Sequence, residues 1–221
     1  MNFLEIAKRV RQECGISGDG PSNVSGQVGM YAKIIGWVQA AHEELQQLHS
    51  EWNFDWAMAE NPLVAGQEFY GLANDWGLDF KKAQDGGLYV YRTADGPAAK
   101  TWVPIVDWAM LRALRTPNIT GTPIYAAMTP DERLCFHPIP DAGITAVLEY
   151  YQNPKVMSDN TDTPRMPARF HMAIVWRAVM FWCAHDENPA LMQSATQNYR
   201  ELVNKMTITE LPKMADMEPL A

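Results

Sequence analysis

The stretch from Phe170 to Ala184, FHMAIVWRAVMFWCA, has only His171 and Arg177 as polar residues. A membrane helix needs about 20 apolar residues, and an arginine at mid-span is costly there. The stretch therefore reads as a helix buried on most sides, and the rest of the chain has to cover it. A chain of 221 residues is long enough to do so, as one large domain or two small ones. Hydrophobic residues at 47% and charged residues at 20% fit an ordinary globular protein.

Candidate covering helices stand at both ends of the sequence. Phe3, Ile6, Ala7, Val10 and Cys14 repeat at helical spacing behind Asn2, a suitable cap, and Gly15 would end that helix. After a Gly/Ser/Asn-rich loop, a longer helix is predicted from about Ser25 to Ser50. In it Val28, Tyr31, Ile34, Ile35, Val38, Ala41, Leu45, Leu48 and Trp52 form one apolar stripe. The opposite face carries Gln39, His42, Glu43, Gln46, Gln47 and Ser50, so it is wet or meets a polar partner. Trp52, Phe54 and Trp56 crowd the end of this helix and read as a structural junction between helical and β parts, not a ligand site. Beyond the apolar run, Asn188 and Pro189 cap a last helix, in which Met192, Ala195, Tyr199, Leu202 and Met206 step by threes and fours.

The middle of the chain has a different character. EFYGL, GLYVYRT, TWVPIV, IYAAM, RLCFHP and ITAVLEYYQ are short β-like runs, punctuated by turns at Asp85-Gly86-Gly87, Asp95-Gly96-Pro97 and 140–143. A short helix at 107–114 interrupts them, with Asp107 as its cap. The expected fold class is α+β. Residues 1–66 form the first half of a helical bundle, 67–153 a β-rich sandwich or open barrel, 154–207 the second half of the bundle, and 208–221 an extended C-terminal arm.

Chemistry is sparse. His42-Glu43-Glu44-Leu45-Gln46 lacks the second histidine of a zincin, and His49 lies two turns on, roughly 10 Å along the axis. Cys183 and His185 point to different sides of a helix. Cys135 and His137 share a strand face, but neither an orienting group nor an oxyanion donor is evident nearby. Asp131, Glu132, Asp141 and Glu149 sit at turns and strand ends, where acids are expected anyway. Three widely spaced cysteines suggest neither a disulfide framework nor a zinc knuckle. No catalytic residue, metal ligand or cofactor is assigned. The net charge of −8 argues against a general grip on nucleic acid, though acidic walls suit a surface that DNA slides past. The charged N-terminus, MNFLEIAKRVRQE, does not read as a signal peptide.

The order of these pieces carries a resemblance. "GISGDGPSNVSGQVG" precedes "IIGWVQAAHEELQQLHSEWNF", with Trp-x-Phe at Trp52 and Phe54. Later come "TGTPIYAAM", "LCFHPIPDAGITAVLEYYQNP" and "MPARFHMAIVWRAVMFW", pairing Pro138-x-Pro140-Asp141 with Tyr150-Tyr151-x-x-Pro154. Over about residues 3–206 the chain resembles the head-to-tail adaptor (connector) proteins of tailed bacteriophages, including the tail tubular proteins of short-tailed phages. The resemblance implies a structural virion protein without catalysis. Such adaptors form a homo-oligomeric ring, usually of twelve copies, beneath the portal at the head–tail interface, and extend the DNA channel toward the tail. The partners so implied are the chain itself, the portal protein, a downstream tail or nozzle protein and passing DNA; no membrane is involved, and synthesis is in the host cytoplasm. Residues 208–221 follow no pattern of the family; Leu211, Pro212, Met214, Met217 and Leu220 are our candidate partner-binding residues. A tail-completion or stopper protein, or a small hydrolase with an unrecognised site, are the alternatives.

Overall fold

The structure, a computed structural model, describes residues 1–212. It divides into two compact units, Met1–Asp55 with the described residues from Pro154 onward, and Trp56–Asn153. In chain order the elements are α1 (Phe3–Glu13), α2 (Gly29–Gln47), β1 (Trp56–Pro62), β2 (Phe69–Gly71), β3 (Phe80–Arg92), β4 (Thr101–Trp102) and β5 (Ile105–Val106). There follow α3 (Trp108–Leu114), β6 (Thr120–Gly121), β7 (Tyr125–Met128), β8 (Arg133–His137), β9 (Ile139–Pro140), β10 (Ile144–Gln152), α4 (His171–His185) and α5 (Pro189–Glu210). Helices at both ends and a β-rich middle make the fold α+β.

In the helical unit α4 is the apolar run, and α1, α2 and α5 all pack against it. Ala173, Ile174, Val175, Ala178, Val179 and Trp182 are buried there among Phe3, Ile6, Ile34, Val38 and Leu45. Arg177 is tolerated because its guanidinium reaches Glu44 of α2, Nε donating at 2.5 Å and Nη2 at 3.2 Å, and lies over the Phe181 ring. Both ends of the unit are capped as their sequences require. The Asn2 side chain accepts from the Glu5 amide while the Glu5 carboxylate accepts from the Asn2 amide. Asn188 accepts from the Leu191 amide, with Pro189 in the first turn.

Helix α2 is shorter than its apolar stripe predicted. Gly26 and Gly29 both lie at positive φ, so the helix begins at Gly29, and Val28 is extended and exposed. At the other end it stops at Gln47, which leaves Leu48 half-exposed. Trp52 is fully buried, and its indole Nε1 donates to the Leu45 carbonyl at 3.2 Å. That carbonyl belongs to the last turn, where no helical amide is left to bond it. The indole thus satisfies the helix end while its rings join the helical core.

In the second unit, β1-β10-β3-β4 form one four-stranded sheet and β2-β8-β7-β5 another, with β6 and β9 as a small pair. Neither large sheet closes into a barrel. The inner residues of both share one core, with Leu88, Val90, Ala146 and Leu148 from the first and Tyr70, Ala126, Leu134 and Phe136 from the second. The strands begin at Trp56, earlier than the expected start at Gln67. Strand β1 was hidden because its inward residues are the small Ala57 and Ala59, while Trp56 and Met58 point outward. Pro62 is tolerated since β1 is an edge strand. The expected turn at Asp85-Gly86-Gly87 is instead a wide bulge inside β3, across which the register jumps from Leu148↔Leu88 to Tyr150↔Ala83. Gly87 leaves room there for the neighbouring strand, because a Cβ would sit 2.8 Å from the Glu149 Cβ and force a shift.

Candidate functional site

Side chains with chemical potential are first traced to their partners. On the polar face of α2, His42 and Gln46 are buried, which meets the second of the two expectations for this face, a polar partner rather than water. The chain re-entering the helical unit covers them. Gln46 accepts from the Lys155 amide at 2.8 Å and donates to the Lys155 carbonyl at 3.2 Å, and Gln39 donates to the Met157 carbonyl at 2.9 Å. Two glutamines two turns apart thus clamp an extended segment that has no strand beside it. Gln46 Nε2 also lies 3.3 Å from His42 Nδ1, while His42 Nε2 has no hydrogen-bond partner. Burial, helped by the positive charges of Lys155, His171 and Arg165, lowers the His42 pKa to about 4. A buried, neutral imidazole is no metal cradle. Glu44 is taken by Arg177, and His49 makes an edge contact with Trp52.

The cysteines are quiet. Burial, then the Glu68 carboxylate, pushes the Cys135 thiol up to about 11, and its Sγ points to Glu68 at 3.8 Å. Cys14 is pushed up to about 12, chiefly by burial, and Cys183 is raised for the same reason. A thiol protonated at neutral pH is a poor nucleophile. His185 meets Lys33 at 2.6 Å and the edge of Trp37. Asp131 pairs with Arg133 and Asp141 with Arg92, at 2.6 and 2.8 Å. Glu132 sits in a turn at positive φ, and Glu149 lies opposite Met58 on the first sheet. Among the described residues no group of three or more His, Cys, Asp or Glu is placed to hold a metal ion. No helix among them is long and apolar enough to cross a membrane.

What remains is surface. The outer face of the β1-β10-β3-β4 sheet carries a cross-strand row Glu60–Val147–Tyr89–Trp102, and beside it stand Met58, Trp56 and Tyr91. Trp102 is 55% exposed, Met58 57% and Trp56 43%, an unusual amount of ring and thioether surface for one sheet face. The Lys100 ammonium lies 4.5 Å above the Tyr89 ring, and the Tyr91 hydroxyl donates to Glu60. Sequence alternation concealed this face, since in β1 the large residues are the outward ones.

The three junction rings divide between the two units. Trp52 and Phe54 stack with centroids 5.3 Å apart and pack on the helical core. Trp56 opens β1. Of the expected arm, 208–210 are helical, because α5 runs on to Glu210, whose carboxylate is held by Arg169. Leu211 packs on the helical core and Pro212 is exposed. Met214, Met217 and Leu220 lie outside the described residues.

Comparison with known proteins places these surfaces in context. A family model described as SU10 adaptor protein matches residues 1–218, nearly the whole chain and both structural units. A search of curated proteins found no match.

Proposed function

Because the chain belongs to the SU10 adaptor protein family, a family of structural bacteriophage adaptors, we propose that it forms a ring of twelve copies beneath the portal. The ring joins the head to the tail and extends the DNA channel. Family membership implies a virion component that interacts with other head and tail proteins; the ring, the portal as partner and the channel are our reading. The observation that carries it is the sheet face on which Trp56, Met58 and Trp102 are exposed around the half-buried Tyr89. A closed ring is built from heterologous contacts, so each copy needs two different complementary patches. The sheet face supplies one. The segment from Leu211 onward, with Pro212, Met214, Met217 and Leu220, supplies a second contact to a neighbouring copy, the portal or a downstream nozzle protein. The net charge of −8 suits a wall past which DNA slides without being gripped.

Electron microscopy of the purified chain, alone and mixed with portal protein, tests this. Rings in solution, or rings formed only on portal, are expected. A chain that stays monomeric and ignores portal would overturn the reading.

A further inference from the structure

We propose that copies of this chain join edge to edge, β1 of one copy lying against the outer edge of β3 in the next, so that the β1-β10-β3-β4 sheet continues from copy to copy. The proposal rests on the reading of the chain as a ring-forming adaptor and specifies which edges meet; both lie within the β unit. At one end of the sheet stands β1, paired with β10 on one side and, among the described residues, with no strand on the other. None of its seven residues is buried, and Trp56-Ala57-Met58-Ala59 carries no charge. At the other end β4 covers β3 only at Tyr89 and Val90, where the Val103 amide also donates to the Leu88 carbonyl. Before that point β3 borders a groove of about 630 Å³, walled by Ala83, Gly86, Trp102 and Ile105 among others. No residue from Phe80 to Gly86 is buried.

An exposed strand edge offers a row of amides and carbonyls to any other strand, and proteins ordinarily block it with charges, proline or a covering loop. In β1 the one charged residue, Glu60, is taken by the Tyr91 hydroxyl, and the one proline, Pro62, comes last. The groove beside β3 is where an added strand would continue the ladder that β4 begins. One sheet presents both edges, which makes a second copy the occupant. Because β1 runs antiparallel to β10 and β10 antiparallel to β3, β1 and β3 share a direction. When one sheet follows the next with its faces kept, β1 of one copy therefore meets β3 of its neighbour as a parallel pair. On the outer face that join sets Trp56 and Met58 of one copy beside Trp102 of the next, so a single contact covers the exposed apolar groups at both ends of the face. Two β1 edges meeting would leave Trp102 and the groove exposed on both copies and would stop at a dimer. Unlike edges form a heterologous contact, which repeats until a ring closes.

Disulfide trapping in the full-length chain, with and without portal protein, tests the join. The native thiols are buried, so mild oxidation reads only introduced ones. Met58→Cys is combined in one chain with Gln84→Cys at the groove, or with Asp95→Cys beyond the far end of β3 as control. Within a copy β10 stands between β1 and β3, which keeps positions 58 and 84 about 10 Å apart, too far for a disulfide. The expected result for 58 with 84 is a ladder of linked multiples on a non-reducing gel, favoured over 58 with 95 by about tenfold or more. Mixing the two single variants should give linked pairs, and each alone none. Dimers only, linking of Met58→Cys to itself, or equal linking at 84 and 95 would overturn the join. Met58 is 57% exposed and Gln84 lies on a strand edge, so both replacements leave folding intact, which circular dichroism verifies. Rings seen by electron microscopy without linked multiples would overturn the join and leave the connector reading standing, and linked multiples without rings would uphold the join alone. Neither rings nor multiples, with portal or without, would overturn both.

Discussion

The helical unit settles its awkward polar groups inward and, of its described large apolar residues, exposes only aliphatic ones such as Val28, Val156 and Ile208, whereas the β unit leaves rings and thioethers outside. In the helical unit Arg177 meets Glu44, Trp52 bonds the end of α2, and Gln39 and Gln46 hold the returning chain. In the β unit Trp56, Met58, Trp102, Met110 and Leu114 are all 43% exposed or more. The first pattern is that of a scaffold whose polar residues serve its own stability. The second is that of a part completed by something else. In an adaptor these are complementary jobs, and mutations should separate them.

The sharpest break should come at Trp52. Trp52→Ala empties the helical core and strips the Leu45 carbonyl of its donor, so the chain should lose about 3–5 kcal/mol in denaturant unfolding. An unchanged midpoint would show that the indole is not a core element. Acid should weaken the same unit next. His42 has a folded pKa of about 4 against 6.5 in the unfolded chain, so between those values the unfolded chain binds the extra proton. The stability this group contributes is complete above pH 6.5 and is lost as the pH falls to 4, by about 3 kcal/mol at most. His42→Gln should flatten the pH dependence of unfolding in that window. In the β unit, Gly87→Ala forces a Cβ against Glu149 and the Gln84 carbonyl, and should cost about 1–3 kcal/mol there. Hydrogen exchange should show amides of β3 and β10 opening while α4 keeps its protection.

The contrast also explains what the sequence could reveal. Stripes such as Ile34–Val38–Ala41–Leu45 bury apolar residues at helical spacing, so α1, α2, α4 and α5 were legible, α1 and α5 with their caps. Strand β1 was not, because alanines face its core and large residues face out. The polar face with Gln39 and Gln46 leaves water and a polar partner both open in the sequence, since no local pattern shows that residues 154–157 return to cover it. The candidate interface was missed for the same reason: Trp56, Tyr89 and Trp102 come from three strands, and only the register aligns them. The chemical reading of the cysteines needed burial, which sets Cys135 beside Glu68, whose negative charge holds the thiol protonated.

The smallest effect on folding should accompany the largest on assembly. Met58 is 57% exposed on an edge strand, so Met58→Glu should change unfolding by no more than about 0.5 kcal/mol. Sedimentation velocity of this variant beside the unmodified chain, with and without portal protein, tests the division of labour most directly. The account predicts an unaltered melting curve together with loss of the ring-sized species. A variant that assembles as readily as the unmodified chain, or one that unfolds, would contradict it.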